Sequence, residues 1–490
     1  MEAYRAIVIV TCVVVYFLLC VVIGLWALRR TRDARDFFMA GRNLGVLVTS
    51  VAVFSSVMSG FGFVGGPGLV YQMGVSSFWI VVTVTMGNVL CVLLLGSKLR
   101  EMAVTQDSVS LPDLIQSHYG SPSVGLLSAV AILLGVLGYL ATQIAAMSQV
   151  LQSLLLPTFG DRWITLEGCA LFSTALLVFY CVTGGIIASV YTDVFQGAVM
   201  MVAAVLVFVA AAQAVDGGFA AMSMTIAKDD FAAIGPWGTL GMFGCLSWYF
   251  LFALGVSGQP HVITKLMMTR RAGDVRFILP VSIAGYSVTA LLWIGLGLAM
   301  RTLVLQERVA PLEEADHAAP VFLQQYTHPL LAGIVFAGLF AAIMSTADAF
   351  LNIGVAALVH DIPKAILGRP IARELLWARI ATALLATFAA LVALFSKTLV
   401  ALLGVFGWGT FAAALVPVVA LGFNWPGATA GAAGLAIVTS LVLNFGIAFL
   451  DVQLPLGVSS GFFALMVSLT VFVTASVIRE AVSKRQGLSE

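Results

Sequence analysis

Long apolar runs constrain this chain more than any other feature. A helix that crosses the hydrocarbon core of a bilayer needs about 20 apolar residues. The sequence offers thirteen such runs, at roughly 6–28, 44–70, 76–97, 124–155, 163–182, 190–213, 237–257, 277–300, 330–356, 376–396, 398–422, 427–448 and 457–478. Only 10% of the residues are charged, whereas a soluble protein carries about 25% and needs them to keep its surface wet. The chain therefore reads as an all-α integral membrane protein, one transmembrane domain over 1–490 whose solvent is the lipid bilayer. The first run is too long for a signal-peptide core. It ends in Leu28-Arg29-Arg30 with no small-residue cleavage site, so it is expected to stay as a membrane helix.

The basic residues set an orientation. When successive loops are assigned to alternate sides, eighteen of the 24 Lys and Arg residues fall on one side. These include Arg29, Arg30, Arg32, Arg42, Lys98, Arg100, Lys265, Arg270, Lys364 and Arg479; the other side holds Arg5, Arg162, Lys228, Arg301, Arg308 and Lys397. The positive-inside rule puts the richer side in the cytoplasm, with the N-terminus outside and the C-terminus inside a bacterial cell membrane.

Several function classes find no support. A net charge of +1 gives no case for nucleic acid. The six cysteines show no metal-ligand spacing, and His118, His261, His317, His328 and His360 are scattered over loops and helix ends. No nucleophile–base pair can be read, so an enzyme is not expected. A channel would want a filter-like repeat or a ring-forming acid. A membrane sensor on a transporter-like scaffold would want an appended module, and the short tail after the last run leaves no room for one. No obligatory protein partner is evident.

Two runs are wrong for continuous helices. The second contains Ser55-Ser56-Val57-Met58-Ser59-Gly60-Phe61-Gly62 and then Gly65-Gly66-Pro67-Gly68. The seventh ends Gly255-Val256-Ser257-Gly258-Gln259-Pro260-His261. Glycine weakens a helix and proline removes a donor, yet in lipid every freed amide or carbonyl must find a partner. The bland account of one such cluster is close helix packing through small residues. Two clusters five spans apart suggest more. Runs 2–6 (44–213) and 7–11 (237–422) would form two units of opposite topology, each opening on an interrupted helix. That arrangement points to a transporter's binding site.

Polar residues lie within the apolar runs. Ser345 and Thr346 adjoin Asp348 in the ninth run, and Ser345 and Asp348 share a helical face. Two hydroxyls with carbonyls from a broken helix could hold a hard monovalent cation. Asp193 lies near the cytoplasmic start of the sixth run, and an acid inside a membrane is a functional candidate by default.

At these residues the chain resembles the sodium:solute symporter family, which includes sodium/proline, sodium/pantothenate, sodium/sialic acid and sodium/glucose transporters. The resemblance spans nearly the whole chain. It is carried by Gly41-Arg42-Asn43-Leu44, by Ser110-Leu111-Pro112-Asp113, and by Tyr180-Cys181-Val182-Thr183-Gly184-Gly185 leading to Thr192-Asp193 and Gln196. Gly258-Gln259-Pro260-His261 and Met344-Ser345-Thr346 add to it. It implies a leucine-transporter-type fold of two inverted five-helix repeats flanked by helices 1, 12 and 13. It implies sodium as coupling ion, held by the carbonyls of Ser55, Met58 and Ala342 and the hydroxyls of Ser345 and Thr346.

The sialic acid branch has a second sodium site at the positions of Asp193 and Ser345 plus two further hydroxyl residues. Those two positions are Asp348 and Ala349 here, so a second cation at Asp193, Ser345 and Asp348 would have altered ligands. A proton-linked Asp348, in a proton-coupled symporter of the same fold, competes with it. The solute pocket implied is Ser56, Ser59, Gly60, Tyr139, Gln143, Phe252, Val256 and Gln259, with Trp248, Phe406 and Trp408 as stacking or gating aromatics. The proline branch has a tryptophan and a tyrosine where Phe252 and Val256 stand, and an acid where Val57 stands. Gly65-Gly66-Pro67-Gly68 is similar to the pantothenate branch. The expected cargo is a small amino acid or a carboxylate such as a pantothenate-like or monocarboxylate anion.

Overall fold

In lipid a backbone must satisfy its own hydrogen bonds, and the helix does so within one segment. A computed structural model describes residues 2–28, 34–160, 162–395 and 400–485. Among them eleven helical stretches are long and apolar enough to cross a membrane, and with the shorter apolar helices Val46–Val57 and Leu166–Phe179 the helical segments follow the thirteen runs. They are α1 (Glu2–Leu28), α2 (Val46–Val57, resuming at Gly66–Met73), α3 (Phe78–Thr105), α4 (Pro122–Phe159), α5 and α6 (together Leu166–Ala214), α7 (Gly241–Gly255, resuming at Pro260–Met267) and α8 (Val275–Leu305). They continue as α9 (Pro329–Ala356), α10 (Glu374–Phe395), α11 (Val400–Leu415), α12 (Ala430–Phe449) and α13 (Ser460–Arg485).

Gly185 divides α5 from α6. Its φ of 55° and ψ of −153° interrupt the helix. That left-handed region is open to glycine, and a Cβ here would also run into the Phe37 ring. The helix in α9 does not stop where its apolar run stops. It passes through a π turn at Ala357–Asp361 into Ile362–Leu367.

The predicted interruptions are present. In α2 the helix ends at Met58, whose ψ of 94° turns the chain out of it, and a π turn over Phe61–Gly65 restarts it. In α7 the break falls at Gln259 (φ −80°, ψ 112°), and Pro260 opens the second half. The chain entering α2 meets the chain leaving α7: Leu44 N–H donates to the Met268 carbonyl (3.2 Å), and Arg270 N–H donates to that of Leu44 (2.9 Å). So α2 begins at the face where α7 ends, and the two broken helices run in opposite senses.

The core centres on α9, which is buried at nearly every position from Ala332 to Ala356. A helix apolar all round belongs inside, and α9 touches α1, α2, α4, α6 and α10. By contrast α1, α12 and α13 leave one apolar face exposed, through Leu18 and Val22, Leu435 and Val442, and Val473 and Val477.

One expectation fails in detail. Lys265, counted above among loop cations, lies in the second half of α7 with its side chain 1% exposed. Arg29, Arg30, Arg32 and Lys397 of that count lie outside the described residues.

Candidate ion and solute site at the helix breaks

In an unbroken helix the carbonyls of Ser55 and Ser56 would accept from the N–H groups four residues on. The turn at Met58 redirects those groups. The Gly60 N–H donates to Gln143 Oε1 on α4 (2.9 Å). The Ser55 carbonyl instead accepts from Ser345 Oγ (3.0 Å), and the Ser56 carbonyl accepts from Thr346 Oγ1 (3.0 Å). Both hydroxyls also reach the Ala342 carbonyl, at 3.1 and 3.2 Å. Side chains of α9 and α4 thus supply partners that the broken backbone of α2 lacks.

The result is a buried cluster of five neutral oxygens, three carbonyl and two hydroxyl. Oxygens of this kind suit a hard cation. A hydroxyl that now donates can rotate its proton away and present a lone pair. Ser55, Ala342, Ser345 and Thr346 of the expected sodium set meet here. Ser56, expected in the solute pocket, contributes a carbonyl, and Met58 is the turn itself. Among the described residues no group of three or more His, Cys, Asp or Glu could hold a metal ion.

The two membrane carboxylates have different neighbours. Asp193 Oδ2 is 2.9 Å from Lys265 Nζ. Asp348 Oδ1 accepts from Ser189 Oγ at 2.9 Å. Ser345 faces α2 rather than either acid in the hydrogen bonds it makes. Lys265 and Ser189 were not read from the sequence as site residues.

The expected solute residues divide into two groups. Ser59 Oγ lies 3.1 Å from Tyr139 OH, and Gly60 is so close to α4 and α9 that a Cβ would stand 2.9 Å from that of Ala146. Phe252 stacks on Phe61 with ring centroids 6.2 Å apart and also touches Trp408 at 5.2 Å. Gln259 donates from Nε2 to the Trp408 carbonyl (3.2 Å). Val256 is not with them, because it packs on Gly87 of α3.

The same region holds buried polar atoms with no hydrogen-bond partner: Gln259 Oε1, Trp408 Nε1, Trp293 Nε1 and both ring nitrogens of His261. Trp293 sits against Phe61 at 5.5 Å. His261 is legible in the sequence as part of a motif, but its place at a helix end gives no sign that its ring turns inward. Toward the C-terminal end of α9, Phe350 stacks on Phe411 and touches Tyr139 and His261, which closes the centre on that side.

Two helices broken at mid-span and antiparallel to each other, with the freed backbone turned toward a hydroxyl-bearing neighbour, define a secondary transporter of the inverted-repeat class. A model of the sodium:solute symporter family matches residues 37–439. The chain belongs to that family, and its work is membrane transport rather than catalysis. It is 27% identical to a sodium/proline symporter of Staphylococcus aureus, over 96% of this chain and 91% of the relative. It is 25% identical to the osmoregulated proline transporter OpuE of Bacillus subtilis, over 96% of this chain and 94% of the relative. Among solved structures it is similar to a Na+-coupled sialic acid symporter in a substrate-bound outward-open state. The TM-score is 0.77 at 18% identity, covering 96% of this chain and 98% of that one. A nucleobase-cation-symport-1 family transporter in a closed conformation shares the fold at a TM-score of 0.57 and 13% identity, covering 94% of this chain and 97% of that one. The fold is therefore of the leucine-transporter type.

Proposed function

We propose that the protein takes up a small carboxylate-bearing solute, an amino acid or a short carboxylate, coupled to sodium entry, with its N-terminus outside and its C-terminus in the cytoplasm. One observation carries the sodium reading: the Ser55 and Ser56 carbonyls, released by the break in α2, face the Ser345 and Thr346 hydroxyls of α9. A sodium ion there would tie α2 to α9 and order the Ser59–Gly60 turn beside it. Solute affinity would rise by the factor by which solute raises sodium affinity.

The solute class rests on the lining. Aromatic faces at Phe61, Phe252 and Trp408 suit a body of a few carbons. The Trp408 indole N–H and a His261 ring nitrogen suit a carboxylate, and Gln259 Oε1 suits an N–H or O–H. Relatives that carry proline by name support the amino acid end of this range. The departures at Phe252, Val256 and Val57 keep the carboxylates within it.

The test is uptake into proteoliposomes of labelled amino acids, including proline, short-chain carboxylates and pantothenate, under sodium, proton and null gradients. Uptake of at least one should require sodium. Ser345→Ala with Thr346→Ala should raise the sodium concentration for half-maximal uptake about tenfold or more, the loss of about 1.4 kcal/mol. Uptake driven by protons alone, or an unchanged sodium dependence in the double variant, would overturn the assignment.

A further inference from the structure

The position where a second cation might have been expected, beside Asp193, already holds one that belongs to the chain. Lys265 reaches across from the second half of α7. Its Nζ lies 2.9 Å from Asp193 Oδ2 on α6 and 2.8 Å from the Ala52 carbonyl on α2. Both side chains are fully buried, at 1% and 0% exposure. Ala52 stands one helical turn before Ser55, and the Ser55 hydroxyl donates to the same Ala52 carbonyl (3.2 Å). The ammonium and the candidate sodium cluster therefore share one strip of α2.

We infer that the Lys265 ammonium is a tethered cation that permanently fills the place beside Asp193, so that this chain binds a single sodium ion in each transport cycle. This rests on the sodium reading above and adds an ion count to it. The donor set around Nζ, one carboxylate and one main-chain carbonyl, is chemistry an alkali cation would accept. An ammonium is a compact point charge, unlike the planar fork of a guanidinium, so it resembles a monovalent ion in size and in how it is ligated. A mobile ion cannot compete well for Asp193, because the ammonium is held beside it covalently and repels a second positive charge. The tethered charge neutralises Asp193 and joins α2, α6 and α7. Since it never dissociates, it draws nothing from the sodium gradient.

The test counts ions. Equilibrium binding of radioactive sodium to the purified full-length protein should give one ion per chain. Lys265→Ala should gain one, giving two, because Asp193 is then exposed to the mobile ion. Asp193→Asn should keep the wild-type count. The inference is overturned if folded Lys265→Ala gains no ion, or if the wild type binds two and Asp193→Asn loses one. Should Lys265→Ala fail to stay monodisperse, the comparison of wild type with Asp193→Asn decides, since Asn still accepts from the lysine. A wild type that binds no sodium sinks the sodium reading instead, and the gain in Lys265→Ala then tests the tethered cation separately.

Discussion

At the scale of single residues, the fully buried Lys265–Asp193 pair is a joint whose halves cannot be removed independently. Breaking a buried ion pair by deleting one partner leaves a charge in a medium that solvates it poorly, a loss of about 3–5 kcal/mol. Lys265→Met should therefore lower the unfolding temperature markedly when assayed in choline buffer. Lys265→Met combined with Asp193→Leu should recover most of that loss, since a well-packed apolar pair often replaces a buried ion pair at little cost. A double variant as unstable as the single one would mean that the two residues act apart. Gln143 makes a smaller case. Its Oε1 is the acceptor of the Gly60 N–H, and Gln143→Leu would leave that buried donor unsatisfied, which costs about 1–3 kcal/mol. The measurable outcome is a lower unfolding temperature that added sodium does not fully restore.

At the scale of elements, the breaks in α2 and α7 were legible because glycine, serine and proline cluster at both. The hydroxyls of α9 were legible because they adjoin a carboxylate in an apolar run. Lys265 was not. It stands several residues beyond the apolar stretch of α7, where a lysine normally reaches interfacial water, and only the packing of α7's second half against α2 and α6 buries it. The π turn that extends α9 was equally hidden, since no residue type marks it. Its product is a polar latch with the short helix Leu111–Tyr119. Asp113 accepts from Lys364 Nζ at 2.6 Å, with His360 Nε2 3.8 Å away. His360 Nδ1 lies 2.6 Å from Glu374, and Ser110 donates to Asp361. Burial opposes ionisation of Asp113, but the nearby His360 ring and the hydrogen bond and charge of Lys364 outweigh it and hold its carboxyl below the ordinary carboxylate range. A group whose folded value is depressed stabilises fully above its unfolded value, about pH 4, and ceases to as pH falls through the lowered one. Asp113→Asn should therefore cause at neutral pH a loosening that the wild type shows only in acid. Hydrogen–deuterium exchange over 110–119 should be faster in the variant at pH 7. Equal exchange would show that the latch does not depend on that charge.

At the scale of the whole molecule, the ion count and the solute class constrain each other through charge. If Lys265 serves as the second cation, one positive charge enters with each sodium. A zwitterionic amino acid adds none, so the cycle moves one net charge. An inside-negative potential of 100 mV then contributes about 2.3 kcal/mol, or roughly fifty-fold accumulation. A monocarboxylate adds one negative charge, the cycle becomes neutral, and accumulation follows the sodium gradient alone. Imposing a potassium diffusion potential with valinomycin on potassium-loaded proteoliposomes, with sodium and labelled solute outside, separates these cases. Uptake of an amino acid should rise as the interior is made negative, whereas uptake of a monocarboxylate should not respond. A monocarboxylate whose uptake is driven by the potential would require a second mobile cation, which the ammonium beside Asp193 leaves no place for. That result would return Asp348 to consideration as the carrier of the extra charge. The charge moved per turnover thus tests the buried lysine from outside the membrane, without altering any residue.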